Sequence, residues 1–252
     1  ILFFWVARMM MFGLYAHRDR TPDEAVPFRI IALHGMVRDE RGKKMSKSFG
    51  NAVDPIEWLD AFGADAVRFT LARGANPGTD VPVGEDWVQA SRNFCNKLWN
   101  ATRFALLNGA RVGPLPPSSD LSAPDRWILS RLHATVAAVD AYYEDFQFAK
   151  ASEALFHFAW DEFCDWYVEL AKTPLAAGGD AAERARLVLG NVIDVLLRLL
   201  HPLTPFVTET LWTTLTGQET VVTAPWPVAE PAWADVDAEA AVGEVQRLVT
   251  EV

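Results

Sequence analysis

Residues 43–51 read Lys-Lys-Met-Ser-Lys-Ser-Phe-Gly-Asn, which places three lysines, two serines, a glycine and an asparagine in nine positions. Serine, asparagine and glycine favour turns and caps over helix interiors, so the run predicts a surface loop. Lysine is a compact charge on a flexible stem and can follow a phosphate group that moves. The loop is therefore a candidate anion site, and a solvated basic turn without a ligand is the alternative.

The segments on either side of this loop have the pattern of an open α/β sheet. Residues 28–37 form an apolar run, Phe-Arg-Ile-Ile-Ala-Leu-His-Gly-Met-Val, which predicts a strand buried on both faces. Asp54 followed by Pro55 predicts the first turn of a helix. Because open α/β sheets bind ligands beyond the carboxyl ends of their strands, this order of strand, basic loop and helix supports the anion site.

Five residues of the loop, Lys44-Met45-Ser46-Lys47-Ser48, are identical to the KMSKS signature of class I aminoacyl-tRNA synthetases. A given five-residue string arises by chance in a chain of this length with odds of roughly 1 in 10,000. Other segments resemble the branch of this family that activates Val, Ile, Leu and Met; they are residues 34–37, 50–55, 62–66 and 68–69. Residues 1–10 and 92–101 resemble the valine enzymes of that branch, and the likeness extends to about Pro227.

The resemblance implies a fold class of α/β then all-α: the end of a Rossmann-like class I catalytic fold followed by an anticodon-binding helical bundle. We expect residues 1–84 to form the second half of the catalytic domain, residues 85–234 the helical domain, and residues 235–252 the start of a C-terminal helical arm. The HIGH-type motif and the editing domain of the family do not occur in these residues. We therefore expect a piece of a longer protein that forms no adenylate by itself.

The implied activity is that of an aminoacyl-tRNA ligase acting on ATP with its Mg²⁺, on valine and on tRNA(Val). Two alternatives stay open. The first is a sister synthetase of the isoleucyl, leucyl or methionyl type, and the second is a helical tRNA-binding module without catalysis. The strand, loop and helix at residues 28–62 favour the ligase, since a pure binding module does not need them.

By resemblance, the loop supplies the catalytic cations. Lys44 and Lys47 would neutralise charge on the α-phosphate of ATP and on the departing pyrophosphate. Ser46 and Ser48 would donate hydrogen bonds to phosphate or hold the loop closed. Four of the predicted ATP contacts, including that of Lys47, thus come from one short segment.

Other ligand contacts are predicted upstream of the loop. In the family, His34 and Gly35 meet the adenosine part of ATP, and Val37 would contact adenine through its main chain. A histidine bonded only to backbone is the alternative for His34. Trp5 would line the valine pocket or pack in the core.

The net charge of −10 is unevenly distributed. Residues 121–252 hold 8 basic and 20 acidic groups, whereas residues 89–112 hold four basic groups and no acid. In that segment Arg92, Lys97 and Arg103 alternate with aromatic residues, a combination that suits phosphate contact and base stacking. We predict tRNA binding by these three residues and Phe104, with core packing as the alternative for the aromatic ring.

Composition excludes several classes of protein. Half of the residues are apolar and 22% are charged, which is typical of a globular chain. The two cysteines are distant and the five histidines scattered, so we predict no disulfide, zinc site or other metal site. The apolar residues 1–16 are too few for a membrane span. We expect a cytoplasmic monomer.

Apolar spacing predicts the remaining elements. The predicted helices are residues 1–16, 54–62, 65–73, 86–108, 125–143, 148–172, 181–201, 205–215 and 235–252. Residues 220–223 are a candidate edge strand. The segment from Val188 to Leu200 is apolar nearly all round, so its helix should lie at the centre of the bundle.

Overall fold

The computed structural model describes residues 1–251, apart from the side chain of Lys47. It divides into two compact units, residues 1–34 and residue 35 onward. None of the described helices combines the length and the hydrophobicity that a bilayer span requires.

The first unit is helical at its start, as predicted. A π-helical segment, Leu2–Val6, continues directly into helix α1, Ala7–Ala16. A short helix α2, Pro22–Ala25, begins with a capping box in which the Thr21 hydroxyl and the Glu24 carboxylate satisfy each other's backbone N–H groups. Most of the large apolar side chains of residues 1–15 are exposed in this unit.

The second unit contains a two-stranded parallel sheet. Strand β1 is Val37–Arg38 and strand β2 is Val81–Pro82, with Val37 opposite Val81. The predicted strand over residues 28–37 is therefore wrong except at Val37 and at the isolated bridge residue His34. A strand buried on both faces needs neighbours on both sides, whereas Ile30, Ile31 and Leu33 are at least half exposed in this chain.

The helices of the second unit follow the predicted series closely. They are α3 (Pro55–Phe62), α4 (Ala64–Gly74), α5 (Glu85–Leu107), α6 (Ala123–Glu144), α7 (Phe148–His157), α8 (Val168–Ala177), α9 (Gly179–Leu200), α10 (Pro205–Thr216) and α11 (Val236–Glu251). A π-helical segment, Phe158–Tyr167, joins α7 to α8. The predicted helix over residues 148–172 thus continues through Pro174 to Ala177, and Gly178, whose φ is +77°, follows as its C-cap.

Helix α9 lies at the centre of the bundle, as predicted. Eight of its Val, Ile and Leu residues are fully buried: Val188, Leu189, Val192, Ile193, Leu196, Leu197, Leu199 and Leu200. The π-helical segment is fixed to α6 by the buried Tyr167 hydroxyl, which donates to Asp125 Oδ1 at 2.6 Å. A second, smaller cluster around Trp58, Val67 and Val81 packs α3, α4 and β2 together.

The candidate edge strand at residues 220–223 is a turn. The Val221 side chain is buried, and its backbone N–H donates to Glu209 Oε2 at 3.1 Å instead of to a strand. The backbone N–H of Ala224 then closes the turn on the Val221 carbonyl oxygen at 3.0 Å. Among the described residues this segment has no neighbouring strand, and its hydrogen bond to Glu209 on α10 takes the place of strand pairing.

Candidate functional site

A tight hairpin turn brings the lysine-rich loop to the carboxyl end of β1. The backbone N–H of Asp39 donates to the Lys43 carbonyl oxygen at 3.0 Å, and that of Gly42 donates to the Asp39 carbonyl oxygen at 2.8 Å. Gly42 has φ +74°, a conformation that favours glycine. Lys44 consequently forms an antiparallel bridge with Arg38, the last residue of β1, which is where the sequence predicts the anion site.

The strand pair beneath the hairpin is held by Asp80. The backbone N–H of Met36 donates to Asp80 Oδ1 at 2.8 Å, and the Arg38 guanidinium forms an ion pair with Oδ2. The hydrogen bond from the Met36 N–H contributes most to lowering the pKa of the Asp80 carboxyl, and the Arg38 guanidinium lowers it further. At Gly35 the backbones approach so closely that a Cβ would lie 1.8 Å from the Thr79 carbonyl oxygen, so only glycine fits there.

Asn51 closes the loop with one side-chain amide. Its Oδ1 accepts from the backbone N–H of Ser46 at 3.0 Å. Its Nδ2 donates to Asp39 Oδ2 at 2.8 Å and to the Lys44 carbonyl oxygen at 3.2 Å. The amide therefore joins the start of the loop, its middle and the turn that precedes it.

Asp39 is the fixed end of this contact. Its Oδ1 accepts from the backbone N–H groups of Lys43 at 2.7 Å and of Arg41 at 3.2 Å. The Asn51 amide makes the largest contribution to the lowered pKa of the Asp39 carboxyl, which is therefore a charged acceptor at neutral pH. Sequence reasoning missed both residues, although Asp39 and Gly42 have the spacing of a type I turn.

The predicted ATP contacts of the second unit lie together on the hairpin and loop. The Lys44 side chain is exposed, Ser46 is half-buried, and the backbone N–H of Ser48 donates to Ser46 Oγ at 3.2 Å. Val37 is exposed in β1. The predicted role of the Lys47 side chain lies outside the described residues.

The remaining lysine of the run has a different partner. Lys43 Nζ lies 4.2 Å from the centroid of the Phe49 ring, a cation–π contact that holds this ammonium against the loop itself. Lys44 is exposed, and its backbone is fixed by the bridge to Arg38 and by the hydrogen bond from Asn51.

Two predicted contacts belong to the first unit. His34 is an exposed residue at the end of that unit, and Trp5 is 64% exposed in the π-helical segment. Trp5 therefore does not pack in the core of its own unit. The predicted contacts of His34 with ATP and of Trp5 with valine stay predictions.

The cavity beside the hairpin does not suit phosphate. It measures about 520 Å³, and its lining includes the carboxylates of Asp39, Glu40, Glu85 and Asp86 against the single guanidinium of Arg41. This excess of negative charge would repel the phosphates of ATP. The loop face that carries Lys44 is the better candidate for an anion.

The basic segment of α5 is partly neutralised. Lys97 forms an ion pair with Asp165 and lies 3.8 Å from the centroid of the Trp160 ring. Arg92 NH1 donates to the Ala61 carbonyl oxygen at 2.8 Å, and Arg103 is exposed. Arg92 and Arg103 are therefore more accessible to a polyanion than Lys97.

Phe104, the predicted stacking residue, is half-buried. Its ring packs against the core of the bundle, and Lys172 Nζ lies 5.7 Å from the ring centroid. The packing accounts for its position without RNA, so the stacking role stays a prediction.

Two family profiles match the chain. Residues 1–83 match the tRNA synthetases class I (I, L, M and V), and residues 125–252 match the anticodon-binding domain of tRNA ligase. Among curated proteins, the valine–tRNA ligases of Streptomyces coelicolor and Nocardia farcinica are 69% and 57% identical over the whole chain. The chain spans only 28% and 29% of the lengths of these relatives.

Solved structures show the same fold. The LeuRS–tRNA–LeuAMS complex of Agrobacterium radiobacter K84 agnB2 matches with a TM-score of 0.69 and 25% identity, over 90% of this chain and 27% of that one. Methionyl-tRNA synthetase of Mycobacterium tuberculosis matches in fold with a TM-score of 0.58 over 79% of this chain and 43% of that one. Residues 125–252 make up just over half of the chain, so the chain belongs to the tRNA ligases that carry this anticodon-binding domain, and its residues 1–83 are similar to the class I synthetases for I, L, M and V.

Proposed function

We propose that the chain is part of a valine–tRNA ligase, which activates valine with ATP and transfers it to tRNA(Val). The observation that carries the proposal is the 69% identity, over every residue of this chain, to a curated valine–tRNA ligase. The likeness to the leucyl complex, at 25% identity, supports the general chemistry of the branch rather than the choice of leucine.

In the proposed first step, a valine carboxylate oxygen attacks the α-phosphorus of ATP, and pyrophosphate leaves. Negative charge increases on the α-phosphate and on the leaving group, and cations aimed at this charge lower the barrier. Lys44 is exposed on a closed loop and suits this role, and Lys47 takes the same role by its place in the sequence. Mg²⁺ would enter with the phosphates of ATP as part of the substrate.

The other predicted contacts complete the substrate site. Ser46 and Ser48 would donate to phosphate, and His34, Gly35 and Val37 would contact adenosine. The approach of the Thr79 backbone already requires glycine at position 35, so the adenosine contact of Gly35 rests on the resemblance. Trp5 would contact valine.

In the second step the acyl group passes to tRNA. Arg92 and Arg103 on α5 are suited to phosphate contacts because both guanidinium groups are accessible. Lys97 would first have to leave Asp165, and Phe104 would have to leave the surface of the core. We assign the RNA contact chiefly to the two arginines.

We further propose that residue 84 separates the catalytic part from the bundle and that residues 235–252 begin a helical arm. The whole enzyme would act as a monomer in the cytoplasm. Sedimentation of a full-length ligase that carries this chain checks the oligomeric state.

Amino-acid-dependent exchange between ATP and labelled pyrophosphate tests the proposed function in a full-length ligase that carries this chain. Valine should support exchange, whereas isoleucine, leucine and methionine should not. Exchange with one of these three instead of valine would assign a sister enzyme. An absence of exchange with all amino acids would favour a tRNA-binding module.

A further inference from the structure

We propose that Asn51 and Asp39 are positioning residues, which form a latch that fixes the backbone of Lys44 and Ser46 and thereby presents the Lys44 ammonium to the reacting phosphates. The inference rests on the proposed function. It concerns two residues outside the five that match the synthetase signature, and it follows from the hydrogen bonds around the loop.

The latch is what closes the loop over its full length. The other hydrogen bonds within the described part of residues 45–50 are local: Ser48 N–H to Ser46 Oγ, and Phe49 N–H to the Ser46 carbonyl oxygen. The Asn51 amide instead connects residues that lie 5, 7 and 12 positions away. Without this amide, residues 45–50 keep their local bonds and the Lys43–Phe49 cation–π contact but lose their hydrogen bonds to the hairpin.

The chemistry of the contact requires an amide at position 51. One atom must accept from the Ser46 N–H while another donates to both Asp39 and the Lys44 carbonyl oxygen. Asparagine supplies an acceptor and two donors, whereas aspartate at neutral pH supplies acceptors only. Asp39 in turn is fixed by two backbone N–H groups of its own turn, so the latch has a rigid base.

Lys44 is held in its backbone and free in its side chain. Its backbone bridges to Arg38 on one side, and its carbonyl oxygen accepts from Asn51 on the other. The exposed ammonium can then reach a phosphate while the loop loses little further backbone entropy. This is the arrangement expected of a preorganised cation.

The variants separate positioning from simple stabilisation. Asn51→Asp places a carboxylate against Asp39, and Asp39→Asn places an amide against the Asn51 amide, so each single change breaks the latch. The exchange of both residues restores an amide–carboxylate pair. Glu40→Gln is the matched control, since Glu40 is exposed in the same turn and, among the described residues, its carboxylate accepts no hydrogen bond from the loop.

The closing experiment is a double-mutant cycle with Lys44→Ala in a full-length ligase that carries this chain. Asn51→Asp should lower the kcat of valine-dependent ATP–pyrophosphate exchange by about 10-fold. In the Lys44→Ala background the same change should cost less than about 2-fold, because the residue it positions is already absent. Asn51→Asp should leave the transfer from preformed valyl-adenylate to tRNA and the melting temperature unchanged. The double exchange of Asp39 and Asn51 should recover part of the exchange rate. Glu40→Gln should match wild type.

Equal losses in the presence and absence of Lys44 would overturn the inference, because Asn51 would then act independently of that lysine. A fall in the transfer rate equal to the fall in exchange would overturn it as well. An inactive wild-type enzyme would overturn the proposed function together with the latch, so the two failures are distinguishable.

Discussion

The thiols of Cys95 and Cys164 show how the bundle controls the chemistry of single residues. Burial raises the pKa of each thiol to about 12, and Asp65 adds to the effect at Cys95. A thiol with this pKa is almost wholly protonated at pH 8, and the thiolate is the reactive form. Both cysteines should therefore be inert in the folded protein.

Labelling by a disulfide reagent at pH 8 measures this directly. We expect the folded chain to react at least about 100-fold more slowly than the chain in urea, because the pKa of each thiol is raised by several pH units. A Ser119→Cys variant, with its thiol at an exposed position, should label rapidly and serves as the control. Equal rates for the folded and unfolded chains would contradict the raised pKa values.

The residue scale also shows what a sequence can and cannot reveal about the site. Lys44, Ser46 and Ser48 are recognisable because the chemistry of the loop is contained in a continuous run. The contact between Asp39 and Asn51 spans 12 residues, and its geometry depends on the Gly42 turn. Composition indicates a turn there, but only coordinates show which acceptor meets which donor.

Among the elements, α10 is capped by a residue from another helix. The side chain of Thr204, at its N-cap, makes no capping hydrogen bond. The Asp65 carboxylate on α4 instead accepts from the backbone N–H groups of Phe206 at 3.1 Å and of Val207 at 2.7 Å. Arg68, one turn further along α4, donates to the Pro202 carbonyl oxygen at 2.8 Å.

This cap predicts a stability loss. Asp65→Ala leaves two N–H groups at the start of α10 without their acceptor and removes a negative charge from the positive end of the helix dipole. We expect the free energy of unfolding to fall by about 1–2 kcal/mol, measured by urea denaturation of this chain. Asp60→Ala, at an exposed position on α3, should change it by less than about 0.5 kcal/mol. Equal effects of the two substitutions would argue against the cap.

The elements differ in how far their sequences determine them. Helix α9 is predictable because its segment from Val188 to Leu200 is apolar on nearly all faces, and the centre of a bundle buries such a helix. The strand expected at residues 28–37 has an equally apolar sequence, but a strand needs neighbouring strands to pair with. In that region strand β1 is limited to Val37–Arg38. The cap on α10 joins residues that are 141 and 142 positions apart and leaves no local signal.

At the scale of the whole molecule, an acidic chain offers a few accessible cations for its proposed anionic substrates. The net charge is −10, and ion pairs with Asp165 and Glu183 engage Lys97 and Arg111. Such neutralisation limits non-specific attraction to polyanions, while Arg92 and Arg103 stay accessible. The proposed cations thus fall into two groups, the loop lysines for ATP and the α5 arginines for tRNA.

The separation of these two groups is the central claim, and one pair of assays on a full-length ligase that carries this chain tests it. Lys44→Ala and Lys47→Ala should each lower ATP–pyrophosphate exchange by about 100-fold, the typical effect of a single group that stabilises developing charge, while the Kd for tRNA stays within about 2-fold. Arg92→Ala with Arg103→Ala should weaken tRNA binding. It should also reduce the slope of log K for tRNA against log salt concentration by about 2 in magnitude. Parallel losses of exchange and tRNA affinity in the lysine variants would contradict the account.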